Sequence, residues 1–165
     1  MTLGQSPPFV ERVTGLKGDE LGPGERYVAA SRFSLPAPPR RRDAPEQGLG
    51  LSEVRRMLRI GVLTRPDAQA IPGFPTAWEM VLGLTPIRLI SWKAMKGTDL
   101  PGSLLGAVPI ADLSEVGLVT VPQRRGRSLA VKFVVRDGPR VLLDVVAGYR
   151  ADAEQLTAQL QELLA

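Results

Sequence analysis

The tightest constraint in this sequence is an alternation of apolar and polar residues that recurs through its second half. The alternation is clearest over residues 128–136. Its apolar side chains share one face of an extended chain: Leu129, Val131, Phe133 and Val135. Asp137 and Gly138 follow, a dipeptide typical of tight hairpin turns, and residues 140–146 alternate again. The segment therefore predicts an antiparallel hairpin.

Shorter stretches of the same alternation predict further strands over residues 25–35, 79–84, 87–95, 104–110 and 116–121. Thr85 and Pro86 mark a sharp turn, because proline lacks a backbone donor and restricts its predecessor. The last predicted element is a helix over residues 151–164. Its apolar stripe consists of Ala153, Leu156, Leu160, Leu163 and Leu164. We expect about seven antiparallel strands, packed against one C-terminal helix.

Two regions fall outside the strand pattern. Residues 1–20 contain prolines and glycines without sustained periodicity, and predict a flexible lead-in to a domain over residues 21–165. Residues 36–76 separate the first two strands by roughly forty residues, far more than an ordinary hairpin loop, and predict an insertion. Prolines crowd its first part, which favours an exposed loop.

Inside the insertion, residues 52–63 predict a short helix with Ser52 as its N-cap. One side of this helix is apolar and the other carries arginines. Such a helix either contacts a partner groove or a membrane surface, or buries its apolar stripe against its own sheet. The residues that would contact a partner are Val54, Arg55, Met57, Leu58 and Arg59.

The composition argues against several kinds of chemistry. There is no cysteine and no histidine, so disulfides, thiol chemistry and imidazole-based catalysis or metal binding are absent. The chain has no apolar run of eighteen residues, and its first residues do not resemble a signal peptide. No spacing of serine, aspartate and lysine indicates a nucleophile with its base. We therefore expect a cytoplasmic protein that is not an enzyme, without a cofactor or a metal.

The chain carries a net charge of +4, and almost all of its basic residues are arginines. Arginine makes planar, bidentate contacts with phosphate and carboxylate, so an anionic partner fits this composition. A genome whose base composition favours arginine codons explains the same bias without any partner, and we take that as the default. Aromatic residues make up 5% of the chain. We expect Trp78 and Trp92 to pack in the core or at its rim rather than to stack on a ligand.

Four motifs follow one another along the chain. Gly-Glu opens an apolar strand at residues 24–30, and Leu-Thr-Pro-Ile-Arg-Leu leads to a tryptophan at residues 84–92. Val-Pro-Ile-Ala-Asp-Leu-Ser-Glu-Val spans residues 108–116, and a later strand ends in Asp137-Gly138. In this order the motifs resemble small bacterial domains of the pleckstrin-homology-like (PH-like) superfamily. The resemblance covers residues 21–35 and 77–165, and none of its motifs is catalytic.

The resemblance implies a mainly β fold, a partly open PH-like barrel of antiparallel strands in two nearly orthogonal sheets, with the C-terminal helix capping one end. It also implies where an anion would bind, because phosphoinositide-binding members use basic residues on the first strand and in the loop after it. The residues at those positions here are Arg32, Arg40, Arg41 and Arg42. A second cluster between later strands consists of Arg124, Arg125 and Arg127. The two clusters form one site for phosphate or lipid headgroups if both loops lie at the same mouth, and are otherwise solvated turns.

These observations lead to a non-enzymatic binding or scaffold module as the expected function. Superfamily members bind protein segments or anionic lipid headgroups. We expect a protein partner, bound by the insertion helix or by an exposed strand edge. The alternative is peripheral binding to anionic membrane lipids through the basic loops. Binding of RNA or DNA is a weaker alternative, because such sites usually interleave exposed aromatic residues.

Overall fold

The alternating segments pair into one antiparallel sheet in the structure, a computed structural model that describes residues 8–35, 70–71, 73–123 and 126–165. In chain order the strands are β1 (Ala29–Ser34), β2 (Ala70–Ile71), β3 (Phe74–Pro75), β4 (Glu79–Leu84), β5 (Arg88–Ala94), β6 (Pro101–Pro109), β7 (Leu113–Gln123), β8 (Gly126–Val135) and β9 (Arg140–Val145). The described helices are α1 (Phe9–Lys17) and α2 (Arg150–Leu164), with 3-10 turns at Gly18–Glu20 and Ile110–Asp112. The sheet has seven strands in the order β6-β5-β4-β1-β9-β8-β7, and β2 pairs with β3.

The predicted seven antiparallel strands and the C-terminal helix are thus confirmed. The predicted turns lie where expected. Thr85 N donates to Arg88 O at 2.9 Å, which closes the turn between β4 and β5. Asp137 has a φ of 54° between β8 and β9, a conformation that aspartate tolerates because its short side chain can hydrogen-bond locally.

The sheet is open, whereas the resemblance implied a barrel. Closure would require β6 and β7 to pair, and these two strands are instead the edges of the sheet. β6 begins at Pro101 and ends at Pro109, which have no N–H to donate to a neighbouring strand. Its backbone also shifts register twice against β5, on either side of Trp92. These features make β6 a poor partner for closing the sheet.

The inner face of the sheet carries the main core, and α2 packs across it at β1 and β7. Its largest buried side chains include Phe33, Phe74, Met80, Phe133 and Leu156. The predicted apolar stripe of α2 is confirmed for Ala153, Leu156 and Leu160, which are fully buried. Leu163 is 37% exposed instead, and Thr157 is buried in the stripe with its hydroxyl donating to Ala153 O at 2.8 Å.

The outer face of β1, β4 and β5 carries a second core under α1, where the sequence predicted a flexible lead-in. Phe9 and Val13, one helical turn apart, are buried on this face. They pack against residues of the sheet and of the segment before β1: Tyr27, Ala30, Val81, Ile90 and Trp92. Two buried side chains in a helix of nine residues produce too little periodicity to be recognised in the sequence.

The predicted insertion is described only where it rejoins the sheet, at the β2–β3 hairpin. Residues 36–69 lie outside the described residues, and with them the predicted helix over residues 52–63. Its candidate partner-binding residues Val54, Arg55, Met57, Leu58 and Arg59 stay a prediction.

Candidate functional site

A cleft of about 420 Å³ opens where β5 turns into β6. We call it the lysine cleft and define it by Trp78, Glu79, Lys93, Met95, Lys96 and Ser103. Lys93 stands near the end of β5, Lys96 follows in the loop, and Trp78 precedes β4. Trp78 is half-buried against the main core, while Met95 is 46% exposed. The cleft therefore combines an apolar wall with two ammonium groups.

The two lysines of this cleft differ from the other two lysines of the chain. Lys17 pairs with Glu20 at 3.5 Å, and Lys132 pairs with Glu115 at 2.7 Å. Lys93 and Lys96 form no ion pair with any described residue. Their positive charge is therefore left uncompensated at the cleft.

Within the described part of the chain, Glu79 is the only acidic residue that lines the cleft, and its charge is already paired. Arg32 Nη2 donates to Glu79 Oε2 at 2.8 Å across the β1–β4 ladder. The guanidinium side chain of Arg32 is 16% exposed, so this contact holds it along the sheet. An anion entering the lysine cleft would therefore meet two ammonium groups and no unpaired carboxylate.

The loop that carries Lys96 is held in place by Asp99. Met95 N donates to Leu100 O at 2.9 Å and Thr98 N to Met95 O at 3.2 Å, which makes the loop compact. Asp99 Oδ1 accepts from Arg12 Nη2 at 2.7 Å, and Asp99 Oδ2 accepts from the Tyr149 hydroxyl. One carboxylate thus joins α1, the β5–β6 loop and the segment that begins α2.

The pKa values of Asp99 and Tyr149 follow from those contacts. Arg12 and the Tyr149 hydroxyl donate to Asp99 and lower the pKa of its carboxyl group to about 2. Burial, with the hydrogen bond to Asp99, raises the pKa of Tyr149 to about 12. The carboxylate and the phenol therefore keep one protonation state near neutral pH, and they act as an anchor rather than as an acid–base pair.

A second surface is the edge of the sheet at β7. On the side away from β8, no described strand pairs with β7. Gln161 of α2 donates from Nε2 to Val116 O at 3.2 Å and so covers the edge at that residue. Beyond it, Leu118 is 39% exposed, and a Cβ placed on Gly117 would meet no atom within 4 Å. We call residues 117–121 the free edge of β7.

The predicted arginine site is only partly described. Arg32 is paired with Glu79, as above, and Arg127 is exposed at the start of β8. The alternation along the strands puts these two side chains on opposite faces of the sheet, because Arg32 neighbours the inward Phe33 whereas Arg127 shares its face with Val131. The remaining predicted residues lie outside the described residues: Arg40, Arg41, Arg42, Arg124 and Arg125.

Sequence reasoning missed the lysine cleft because it searched for clusters of arginine. The chain uses lysine only at positions 17, 93, 96 and 132. Two lysines within four positions, beside a predicted hairpin loop, were the available signal. Their lack of ionic partners depends on the tertiary structure and could not be read from the sequence.

Comparison with known proteins does not identify a family for this chain. No protein-family model matches the chain, and no curated protein matches its sequence. Among the described residues, no helix is both long enough and apolar enough to cross a membrane. No group of three or more acidic side chains among them is placed to hold a metal ion.

Proposed function

We propose that this chain is a non-enzymatic, PH-like binding module, and that it binds a protein partner at the free edge of β7. Seven antiparallel strands followed by a helix on their inner face support the PH-like part of the proposal. The protein-binding part rests on one observation, the difference between the two edges of the sheet.

The edge at β6 is protected against pairing with another strand. Prolines stand at both of its ends, and the register shifts against β5. Gly106 of this strand lies so close to β3 that a Cβ on it would come within 3.1 Å of Pro75 Cγ. Prolines, irregular register and a covering segment are the means by which edge strands avoid unwanted partners.

Within the residues that the structure describes, the free edge of β7 has none of these features. Its sequence, Gly-Leu-Val-Thr-Val, contains neither charge nor proline and is rich in β-branched residues. Unpaired N–H and C=O groups along such an edge can hydrogen-bond to an added strand, and the side chains on either face add specificity. An edge left open beside a protected one is a surface suited to a partner.

The test compares the effect of added charge on the two edges of the sheet. Leu118→Lys combined with Thr120→Lys places charge on the free edge of β7, whereas Leu104→Lys charges the β6 edge, where Leu104 is 55% exposed. The tagged chain and both variants would be incubated with an extract of the cells that produce the protein. We expect a bound protein that the wild type and Leu104→Lys retain and the β7 variant loses. Equal retention by all three would refute the proposal.

A second candidate function is peripheral binding to anionic membranes, which the unpaired Lys93 and Lys96 favour. The exposed Met95 beside them could enter the lipid interface. Each lysine near an anionic surface contributes about 1 kcal/mol, so Lys93→Gln with Lys96→Gln should lower the affinity for anionic vesicles about thirtyfold at low salt. Co-sedimentation with anionic and neutral vesicles measures this effect.

The matched control removes the same charge from the paired lysines, as Lys17→Gln with Lys132→Gln. We expect this control to lose far less affinity than the cleft variant. Equal losses would mean that net charge, and not the lysine cleft, drives adsorption. Binding that does not weaken with added salt would also contradict the membrane function, because exposed charges are screened.

A further inference from the structure

We infer that α1 controls the lysine cleft, because α1 and the β5–β6 loop (residues 95–100) detach together while the rest of the sheet stays folded. This coupling is independent of what binds at β7. Three observations carry it: how few contacts hold the loop, how α1 is attached, and which side chains join the two.

The β5–β6 loop depends on one residue for its attachment. Its backbone hydrogen bonds run within it, from Met95 N to Leu100 O at 2.9 Å and from Thr98 N to Met95 O at 3.2 Å. In the part of the chain that the structure describes, only Asp99 joins the loop to another segment by a hydrogen bond or an ion pair, and no side chain of the loop belongs to either apolar core. Met95 and Lys96, which line the lysine cleft, are therefore held in place largely through Asp99.

The helix α1 is attached to the sheet by few contacts of its own. Two of its nine residues, Phe9 and Val13, are buried. Its N-cap, Pro8, supplies no side-chain hydrogen bond, and near its other end the Tyr27 hydroxyl donates to Lys17 O at 2.8 Å. A helix this short is stable only through its tertiary contacts. Loss of its apolar contacts should therefore release the whole helix.

Four side chains connect α1 to the loop in a closed ring of contacts. Arg12 lies over the Phe9 ring at 5.6 Å and donates to Asp99 Oδ1 at 2.7 Å. Tyr149 donates from its hydroxyl to Asp99 Oδ2, and its own ring packs edge-on against Phe9 at 5.0 Å. When α1 leaves, Asp99 loses Arg12, and Tyr149 loses the ring on which it packs. Both ties of the loop are weakened at once, since contacts in one network do not act independently.

The lysine cleft therefore has two states. With α1 docked, Asp99 holds Lys96 in the wall of the cleft that also contains Lys93. With α1 undocked, the loop that carries Lys96 loosens, while Lys93 stays in β5, paired in register with Met80. A ligand that binds the intact cleft favours docked α1, and by linkage a partner that captures α1 lowers the affinity of the cleft by the same factor.

Hydrogen exchange of the full chain tests whether the two segments open together. Val13→Ala weakens α1 on its buried side and leaves the ring of four side chains intact. We expect the α1 amides and the hydrogen-bonded loop amides of Met95, Thr98 and Leu100 to exchange faster by a common factor of at least about ten, with β8 unchanged. The control is Leu16→Ala, at a position of α1 that is 51% exposed, which should leave both segments at their wild-type rates.

Faster exchange in α1 with an unchanged loop would overturn the inference. Equal acceleration in β8 would also overturn it, because α1 would then open only with the whole domain. The wild type supplies a second measurement that needs no variant. In urea below the unfolding transition, exchange in α1 and in the loop should depend on urea concentration with one shared slope, and exchange in β8 with a steeper one. Different slopes for α1 and the loop would contradict a common opening.

Discussion

Arg88 binds both carboxylate oxygens of Glu25, from Nη2 at 2.8 Å and from Nε at 2.9 Å. The Glu25 side chain is 4% exposed and also accepts from Thr85 Oγ1 and from Gly22 N, each at 2.9 Å. The pair fastens the segment before β1 to the turn between β4 and β5. The outer face of the sheet is therefore closed at this end by an ion pair as well as by apolar packing.

The Glu25–Arg88 pair should make stability depend on pH. The hydrogen bonds from Arg88 lower the pKa of Glu25 from 4.5 to about 2, so this carboxylate stabilises the fold fully above pH 4.5 and progressively less as the pH falls towards 2. Glu25→Gln should lower the free energy of unfolding by about 2 kcal/mol at pH 7. The difference from wild type should shrink between pH 4.5 and pH 2.

Urea unfolding across this pH range measures both effects. The control is Glu154→Gln, which removes an exposed ion pair with Arg150 and should change stability by about 0.5 kcal/mol or less. A constant difference between wild type and Glu25→Gln down to pH 2 would contradict the assignment.

Gly83 is required by the position of Trp92. A Cβ on Gly83 would lie 2.8 Å from both Cη2 and Cζ3 of the indole, which is fully buried. Gly83→Ala should therefore destabilise the protein by about 1 to 3 kcal/mol through overpacking. Trp92→Phe removes the clashing atoms, so in a double-mutant cycle the two changes should cost less together than the sum of each alone.

The control for this prediction is Gly15→Ala in α1, where a Cβ meets no atom within 4 Å. Because alanine favours a helix over glycine, this variant should gain up to about 1 kcal/mol. Strict additivity of Gly83→Ala and Trp92→Phe would show that the indole is not the obstacle.

Asp99 should control how firmly α1 is attached to the sheet. Asp99→Ala removes the acceptor of Arg12 and of the Tyr149 hydroxyl. The Arg12–Asp99 pair is about one-third exposed and is worth about 1 kcal/mol after screening, and the hydroxyl contact adds a similar amount. Hydrogen exchange of the α1 amides should accelerate at least about tenfold, while the amides of β8 keep their protection.

Asp112→Ala provides the comparison, because Asp112 is exposed and its carboxylate forms no hydrogen bond or ion pair in the described part of the chain. It should leave exchange in α1 unchanged. Faster exchange throughout the sheet in Asp99→Ala would instead mean that α1 does not open as a separate unit.

The alternation of side chains made most of the sheet predictable. β4 has the predicted boundaries, and β5, β8 and β9 differ from theirs by no more than two residues at either end. β6 and β7 extend further than predicted, to Pro101 and to Gln123. Propensity and periodicity failed there because prolines and glycines were read as loop, although an edge strand tolerates them on its unpaired side.

The candidate surfaces were less predictable than the fold. The sequence led to arginine clusters, whereas in the described part of the chain the unpaired basic side chains that share a cleft are Lys93 and Lys96. The exposed strand edge was expected as a type of surface, but its location at β7 was not. Which charges find partners and which strand stays open both depend on neighbours that are far apart along the chain.

The sequence by itself determined the local elements, because strand alternation, the Asp137-Gly138 turn and the stripe of α2 arise between residues close along the chain. Only the tertiary structure decided that the sheet stays open at β6 and β7, that α1 covers its outer face, and that Asp99 and Glu25 fasten distant segments. Arg12 and Asp99 are 87 residues apart, and Glu25 and Arg88 are 63 apart. Such contacts join segments that are far apart along the chain, so no local pattern records them.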